Sequence, residues 1–219
     1  MANRYRALST TAALLGWFAL TLQLILTISM ALDNGRSVPA TLWRWIGYFT
    51  ITTNLLVAIT LTAKVVGSKG ALSRFFGRPD VHSMTAMSIV IVSLIYNALL
   101  RQLWHPHGWS QFANLMLHDV MPALFLIHWW LAVPKPSLHW RHIGLWLLYP
   151  AGYFAYAMVR GTEDHWYPYP FIDVATLGYP RVLINAVLIL LAFAAVALLL
   201  VSLARWQVRR SLSAGETMQ

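Results

Sequence analysis

The chain has no cysteine, which excludes disulfides, thiolate metal sites and cysteine nucleophiles together. It is also short of charge. Only 11% of its 219 residues are Asp, Glu, Lys or Arg, and just seven are acidic against sixteen basic. A soluble domain carries about a quarter charged residues, so a soluble fold is excluded by composition. Internal repeats, low-complexity stretches and long linkers are missing too, which makes one domain over 1–219 the expectation. No lysine falls at the centre of a long apolar run, which argues against a retinal-type Schiff base. What is present is hydrophobic residue, 58% of the chain, arranged in uncharged runs long enough to cross a bilayer.

Six such runs stand out, at 8–32, 42–63, 82–103, 112–133, 143–159 and 179–203. They predict an all-α polytopic membrane protein, a single bundle of six transmembrane helices. The first run is too long for the apolar core of a signal peptide, and "MALDNGRS" is a poor cleavage site, so a retained span is expected. Basic residues then set the topology. Arg4, Arg6, Lys64, Lys69, Arg74, Arg78, Lys135, Arg141, Arg205, Arg209 and Arg210 lie on one set of loops; Arg36, Arg44, Arg101, Arg160 and Arg181 lie on the other. The more basic side is the cytoplasmic one, which places both termini in the cytoplasm. The net charge of +9 is then mostly a collar facing anionic lipid headgroups. No nucleic-acid recognition motif accompanies it.

Polar residues inside spans are costly and usually face the bundle interior. Here they come as i, i+4 pairs: Thr50 with Asn54, Asn97 with Arg101, Asn114 with His118, Tyr156 with Arg160, and Arg181 with Asn185. Each pair shares one helix face. All fall in the outer half of their spans, whereas the inner halves read "LVAIT", "ALFLI" and "ALLLV". This predicts one polar layer near the outer surface. Routine interhelical hydrogen bonding explains an Asn or a Thr but accounts less well for His118 and Arg101. The stretch "NLMLHDVMP", 114–122, adds a local feature. Pro122 has no N–H, so the carbonyl four residues back, that of His118, loses its helical partner and must find another.

Three segments, "YFTITTNLL", "GWSQFANLMLHDVMP" and "WYPYPFIDVATLG", resemble in order and spacing the androgen-induced-type membrane proteins. The resemblance extends over nearly the whole chain. It implies a six-helix membrane protein; eukaryotic members are threonine hydrolases of fatty acid esters of hydroxy fatty acids, with a histidine partner. The family's threonine falls on Thr50, with Thr52 and Thr53 close enough to compete, and its histidine falls on His118. The compact basic loops look like those of a bacterial member, which implies an inner-membrane location. Asp119 has no counterpart in the family pattern.

A threonine hydroxyl needs a base, and a histidine is suited to that role near neutral pH. Counted from the outer ends of their runs, Thr50 and His118 differ in depth by ~5 Å, within reach of side chains and tilt. Asn54, Asn97, Arg101 and Asn114 are the candidate oxyanion donors or cavity-lining groups. Arg160 or Arg181, with Asn185 nearby, could hold a substrate carboxylate at the rim. Asp119 lies about 100° round the helix from His118, so an ion pair with Arg101 or Arg160 is expected of it rather than a triad role. "WYPYPF" at 166–171 reads as an interfacial aromatic belt or as a lid, which Asp173 would pin to an arginine. The two histidines of "HPHG" lack further zinc ligands, and His118 and His128 lie on different faces, unsuited to a haem. Neither a metal nor a cofactor is implied. The partners implied are a lipid substrate and the bilayer. The rival is a transporter or binder of a small lipidic or anionic ligand using the same cavity; a purely structural protein would leave the polar layer unexplained.

Overall fold

The structure, a computed structural model, describes residues 2–67 and 69–216, with side chains from Tyr5 to Ser213; Arg4, counted above with the more basic loops, lies outside the described side chains. The described residues are all-helical and contain no strand. In chain order the helices are α1 (Ala2–Asp33), α2 (Val38–Trp45), α3 (Phe49–Val66), α4 (Ala71–Phe76), α5 (Pro79–Ile95), α6 (Gly108–Leu115), α7 (Met121–Ala132), α8 (His142–Asp164) and α9 (Val174–Glu216). A π turn at Tyr96–Leu100 extends α5, and a second at Met116–Val120 joins α6 to α7. Among the described residues, five stretches are long and apolar enough to cross a membrane: Tyr5–Asp33, Phe49–Val66, Pro79–Leu100, Gly108–Ala132 and Val174–Ser213. The expected fifth run, 143–159, falls within α8. That helix has 23 residues and an internal Pro150, but its tyrosines and Arg160 keep it out of the apolar set.

Local chemistry sets the helix ends. Ser37 caps α2, its Oγ accepting from the Ala40 N–H at 3.4 Å, with Pro39 in the first turn. α3 stops at Gly67, which takes the left-handed conformation (φ 59°) that favours glycine. α7 ends under Lys135, whose ammonium donates to the carbonyls of Trp129, Trp130 and Val133. Asp173 caps α9: its carboxylate accepts from the N–H groups of Ala175 (2.9 Å) and Thr176 (3.3 Å) and from the Thr176 hydroxyl (2.8 Å). The expected pairing of Asp173 with an arginine is therefore corrected; a helix-capping role takes both of its oxygens.

The second expected span, 42–63, is two helices rather than one. Ile46, Gly47 and Tyr48 separate them, and Tyr48 is extended (φ −82°, ψ 131°), so the helix restarts at Phe49. Gly47 is required by packing, since a Cβ there would lie 2.1 Å from Arg160 Nη1 and 2.9 Å from the Trp166 ring. Thr50 consequently sits in the first turn of α3, not midway along a helix.

α1 packs on α3 and α7 through Gly16, where an added Cβ would come within 3.0 Å of Met121 Cε. The centre of the bundle holds Val57, Leu61, Ala86, Met87, Met121, Phe125 and Trp129, all essentially inaccessible. Lipid tails are as apolar as these side chains, so such a core is held by close packing and polar pairing rather than by removal from water. The half of the bundle that the sequence leads one to expect as inner and apolar departs from that expectation. Ser9, His82, Ser83 and His128 are buried there, linked by contacts of 3.0 Å from Ser9 Oγ to His128 Nδ1 and 3.2 Å from His128 Nε2 to His82 Nδ1. Trp129 Nε1 donates to Ser83 Oγ at 2.8 Å. Polarity is therefore not confined to the outer half. These groups escape a hydropathy reading because each sits in a stretch whose average is apolar.

Candidate functional site

Thr50 occupies the second position of α3, where backbone N–H groups have no intrahelical acceptor. Two tyrosine hydroxyls take their place. Phe49 N–H donates to Tyr153 Oη at 3.1 Å, and Thr50 N–H donates to Tyr169 Oη at 3.2 Å. Tyr153 passes its own proton to the Gly47 carbonyl at 2.8 Å. Tyr169 has no such outlet, and its hydroxyl lies 3.4 Å from Thr50 Oγ1.

The Thr50 hydroxyl is also 3.4 Å from His118 Nε2. The other ring nitrogen, Nδ1, lies 3.0 Å from the Asn114 carbonyl. A carbonyl only accepts, so Nδ1 carries the proton, and the neutral ring presents Nε2 as a free acceptor. That is the tautomer needed to take a proton from Thr50. Tyr96 stacks on the imidazole with ring centroids 3.9 Å apart, and Asn114 Nδ2 donates to the Tyr96 hydroxyl. Asn114 thus fixes the ring through its carbonyl and the stacking partner through its amide. Separations of 3.4 Å are long for hydrogen bonds.

Pro122 acts one residue away from the place expected. Within the π turn the Met121 N–H reaches back to the Met116 carbonyl. That five-residue register makes Leu117 the carbonyl that Pro122 leaves without a partner. Asn54 Nδ2 supplies one from α3, donating to Leu117 O at 3.2 Å and to Thr50 O at 2.9 Å. Replacing Asn54 with leucine strands the Leu117 carbonyl, since that of Thr50 keeps its intrahelical partner, and a buried polar group left without a partner costs about 1–3 kcal/mol. The expected result is a clear drop in melting temperature in detergent; an unchanged melting curve would contradict this role.

The four candidate oxyanion donors are therefore occupied elsewhere. Asn54 is spent on carbonyls. Asn97 donates to Asp119 Oδ1 at 2.9 Å, and Arg101 pairs with Asp119 Oδ2 at 2.6 Å. Asn114 holds Tyr96. The donor that does face the Thr50 hydroxyl is Tyr169, from the "WYPYPF" segment. Burial pushes its phenol up to about 12, with hydrogen bonds from Thr50 working the other way, so it is a protonated donor at neutral pH. Thr52 and Thr53 turn instead to Tyr149 Oη, at 3.3 and 3.2 Å.

The rim residues do not converge on Thr50. Arg160 is 3% exposed and belongs to a separate cluster. It pairs with Asp164 at 3.1 Å, donates to Tyr156 Oη at 3.0 Å, and lies under the rings of Trp43 and Trp166. Asn185 donates to the Phe171 carbonyl at 2.9 Å. Arg181 is exposed and has no hydrogen bond or ion pair among the described residues.

Thr50 opens into a cavity of about 300 Å³ between α3, α5, α8 and α9. Its polar lining is limited to Thr50, Tyr96, Tyr153 and Tyr169; the remainder is aliphatic or phenylalanine, such as Ile91, Phe154, Leu183, Val187 and Phe193. Leu183, Val187 and Leu190 of α9 line it while staying exposed, so the cavity opens sideways along α9. A hydroxyl and a phenol line a slot shaped for hydrocarbon, with the His118 imidazole beside the hydroxyl. No protein-family model, no curated protein and no solved structure matches the chain.

Proposed function

We propose that the protein is an intramembrane hydrolase of lipid esters with Thr50 as nucleophile and His118 as general base. The observation that carries this reading is the Thr50 Oγ1–His118 Nε2 contact of 3.4 Å, made at the polar end of the apolar cavity. An acyl chain in the slot would bring its ester carbonyl to Thr50 Oγ1. Attack forms the C–Oγ bond while the hydroxyl proton passes to His118 Nε2. The tetrahedral oxygen takes a hydrogen bond from Tyr169. Collapse breaks the bond to the leaving alkoxide, to which His118 returns the proton. Water activated by the same imidazole then cleaves the acyl-threonine to free acid. The resemblance to androgen-induced-type proteins implies the same chemistry. In this reading α8 also crosses the membrane, as the fifth of six spans, both termini are cytoplasmic by the distribution of basic residues, and the membrane is a bacterial inner membrane. The lipid enters between α8 and α9, its tail never leaving hydrocarbon.

The test uses detergent-solubilised protein, a fluorophosphonate probe and a panel of lipid esters. Labelling should map to the peptide containing Thr50, be lost in Thr50→Ala and survive in Thr52→Ala and Thr53→Ala. A folded protein with neither labelling nor turnover, or one that binds the esters saturably without cleaving them, overturns the proposal.

A further inference from the structure

At the opposite end of the bundle from Thr50 lies a second cavity, of about 350 Å³, between the start of α1, the end of α3 and the end of α7. Its lining includes Tyr5, Arg6, Ser9 and Lys64. Ser9 forms its floor. The Ser9 hydroxyl donates to the Tyr5 carbonyl at 2.8 Å, so it accepts from His128 Nδ1–H, which in turn leaves His128 Nε2 to accept from His82. The floor is therefore a chain of hydrogen-bonded neutral groups that ends at His82, whose Nε2 is buried without a partner. The charge sits on the walls and is all of one sign. Among the described residues the Arg6 side chain reaches only the Val65 carbonyl, at 3.5 Å. Lys64 and the Tyr5 hydroxyl have no hydrogen-bond partner among the described residues. Lys135 stands behind them, and it and Lys64 place positive charge beside both imidazoles. No carboxylate lies within ion-pairing distance of Arg6, Lys64 or Lys135 among the described residues; the acids that do pair there are Asp80, Asp119 and Asp164, with other arginines.

Compensation of helix dipoles accounts for part of this arrangement. Lys135 is fully used on the last carbonyls of α7. Lys64, in the last turn of α3, is favoured in the same way, but this does not account for Arg6, near the start of α1, lining the same cavity as Lys64 with no counter-charge. We infer that this pocket binds a phosphate group, with Arg6 and Lys64 supplying the charge and the Tyr5 hydroxyl a further donor. Basic pockets between helices at a membrane surface recognise anionic headgroups in this way. The ligand is an anionic phospholipid headgroup or free phosphate, which share the chemistry. The site owes nothing to the hydrolase reading and stands or falls separately.

Native mass spectrometry of the full chain in neutral detergent tests it, with dioleoyl phosphatidic acid, dioleoyl phosphatidylcholine and inorganic phosphate as probes. Phosphatidic acid should bind, and Arg6→Gln/Lys64→Gln should weaken it about tenfold or more, the loss expected for charge-assisted hydrogen bonds. Arg209→Gln/Arg210→Gln, which removes the same charge from exposed positions on α9, should change it less than about twofold. If the double pocket variant does not fold, as its melting curve will show, Arg6→Gln alone takes its place. Competition by inorganic phosphate identifies the phosphate group itself as the ligand; its failure to compete, with phosphatidic acid still bound, identifies the lipid headgroup. Equal binding by the pocket variant, an equal loss in the α9 variant, or phosphatidylcholine binding as tightly as phosphatidic acid overturns the assignment.

Discussion

Replacing His118 with glutamine is expected to lower kcat for a lipid ester by about 10³-fold, the middle of the range for a positioned general base. KM should stay near the wild-type value, because His118 flanks the cavity and does not line it. Glutamine can still donate an amide hydrogen to the Asn114 carbonyl and fill the space beneath Tyr96, so the fold should persist. What it lacks is an acceptor that can take up a proton at neutral pH. Fluorophosphonate labelling of Thr50 should slow in parallel with turnover. Turnover unchanged in a folded His118→Gln variant would remove His118 from the mechanism while leaving the cavity intact.

Gly161→Ala should act from a distance and strongly. A Cβ at that position would lie 2.0 Å from Tyr167 Cε1 and 2.3 Å from Cζ, and a planar ring struck at its edge has to move as a unit. Tyr167 is two residues before Tyr169. Overpacking of this kind costs about 1–3 kcal/mol, and the displaced segment carries the phenol that faces Thr50. Both melting temperature and kcat should fall. The double variant Gly161→Ala/Tyr167→Ala removes the obstructing ring and should recover much of the stability, an interaction that a double-mutant cycle reads directly. A single variant as stable and active as wild type would show that the 166–172 segment does not position Tyr169.

The parts of the fold that were legible in the sequence are those governed by neighbouring residues. Apolar runs announced the long helices, and the polar groups Thr50, Asn54, Asn114 and His118 stood out because hydrocarbon makes each of them expensive. They lie in one connected patch. The bend at Gly47 was not legible. Hydropathy averages across Ile46, Gly47 and Tyr48, and the reason for the glycine is Arg160, more than a hundred residues later. The cap at Asp173 was legible in principle, since an aspartate directly before an apolar stretch is a helix-start signal. Tyr169 and the His82–His128 pair were beyond reach for a plain reason. Their significance lies in contacts between distant segments, 119 and 46 residues apart, and periodicity within one helix carries no information about them.

The wide turn at Met116–Val120 has a consequence for the whole fourth spanning stretch. A π turn holds one residue more than an α turn closed at the same place, and one residue is about 100° of rotation. The outer part, with Asn114 and His118, is thereby phased independently of the inner part, with Phe125 and His128. One part can turn its imidazole to Thr50 while the other turns its own to Ser9. Deleting a single residue from the turn would leave the composition of the stretch almost unaltered, yet it would swing one of the two imidazoles out of its place. The position of the His118 imidazole is encoded in the residue count between Asn114 and Phe125 as much as in the identity of any side chain.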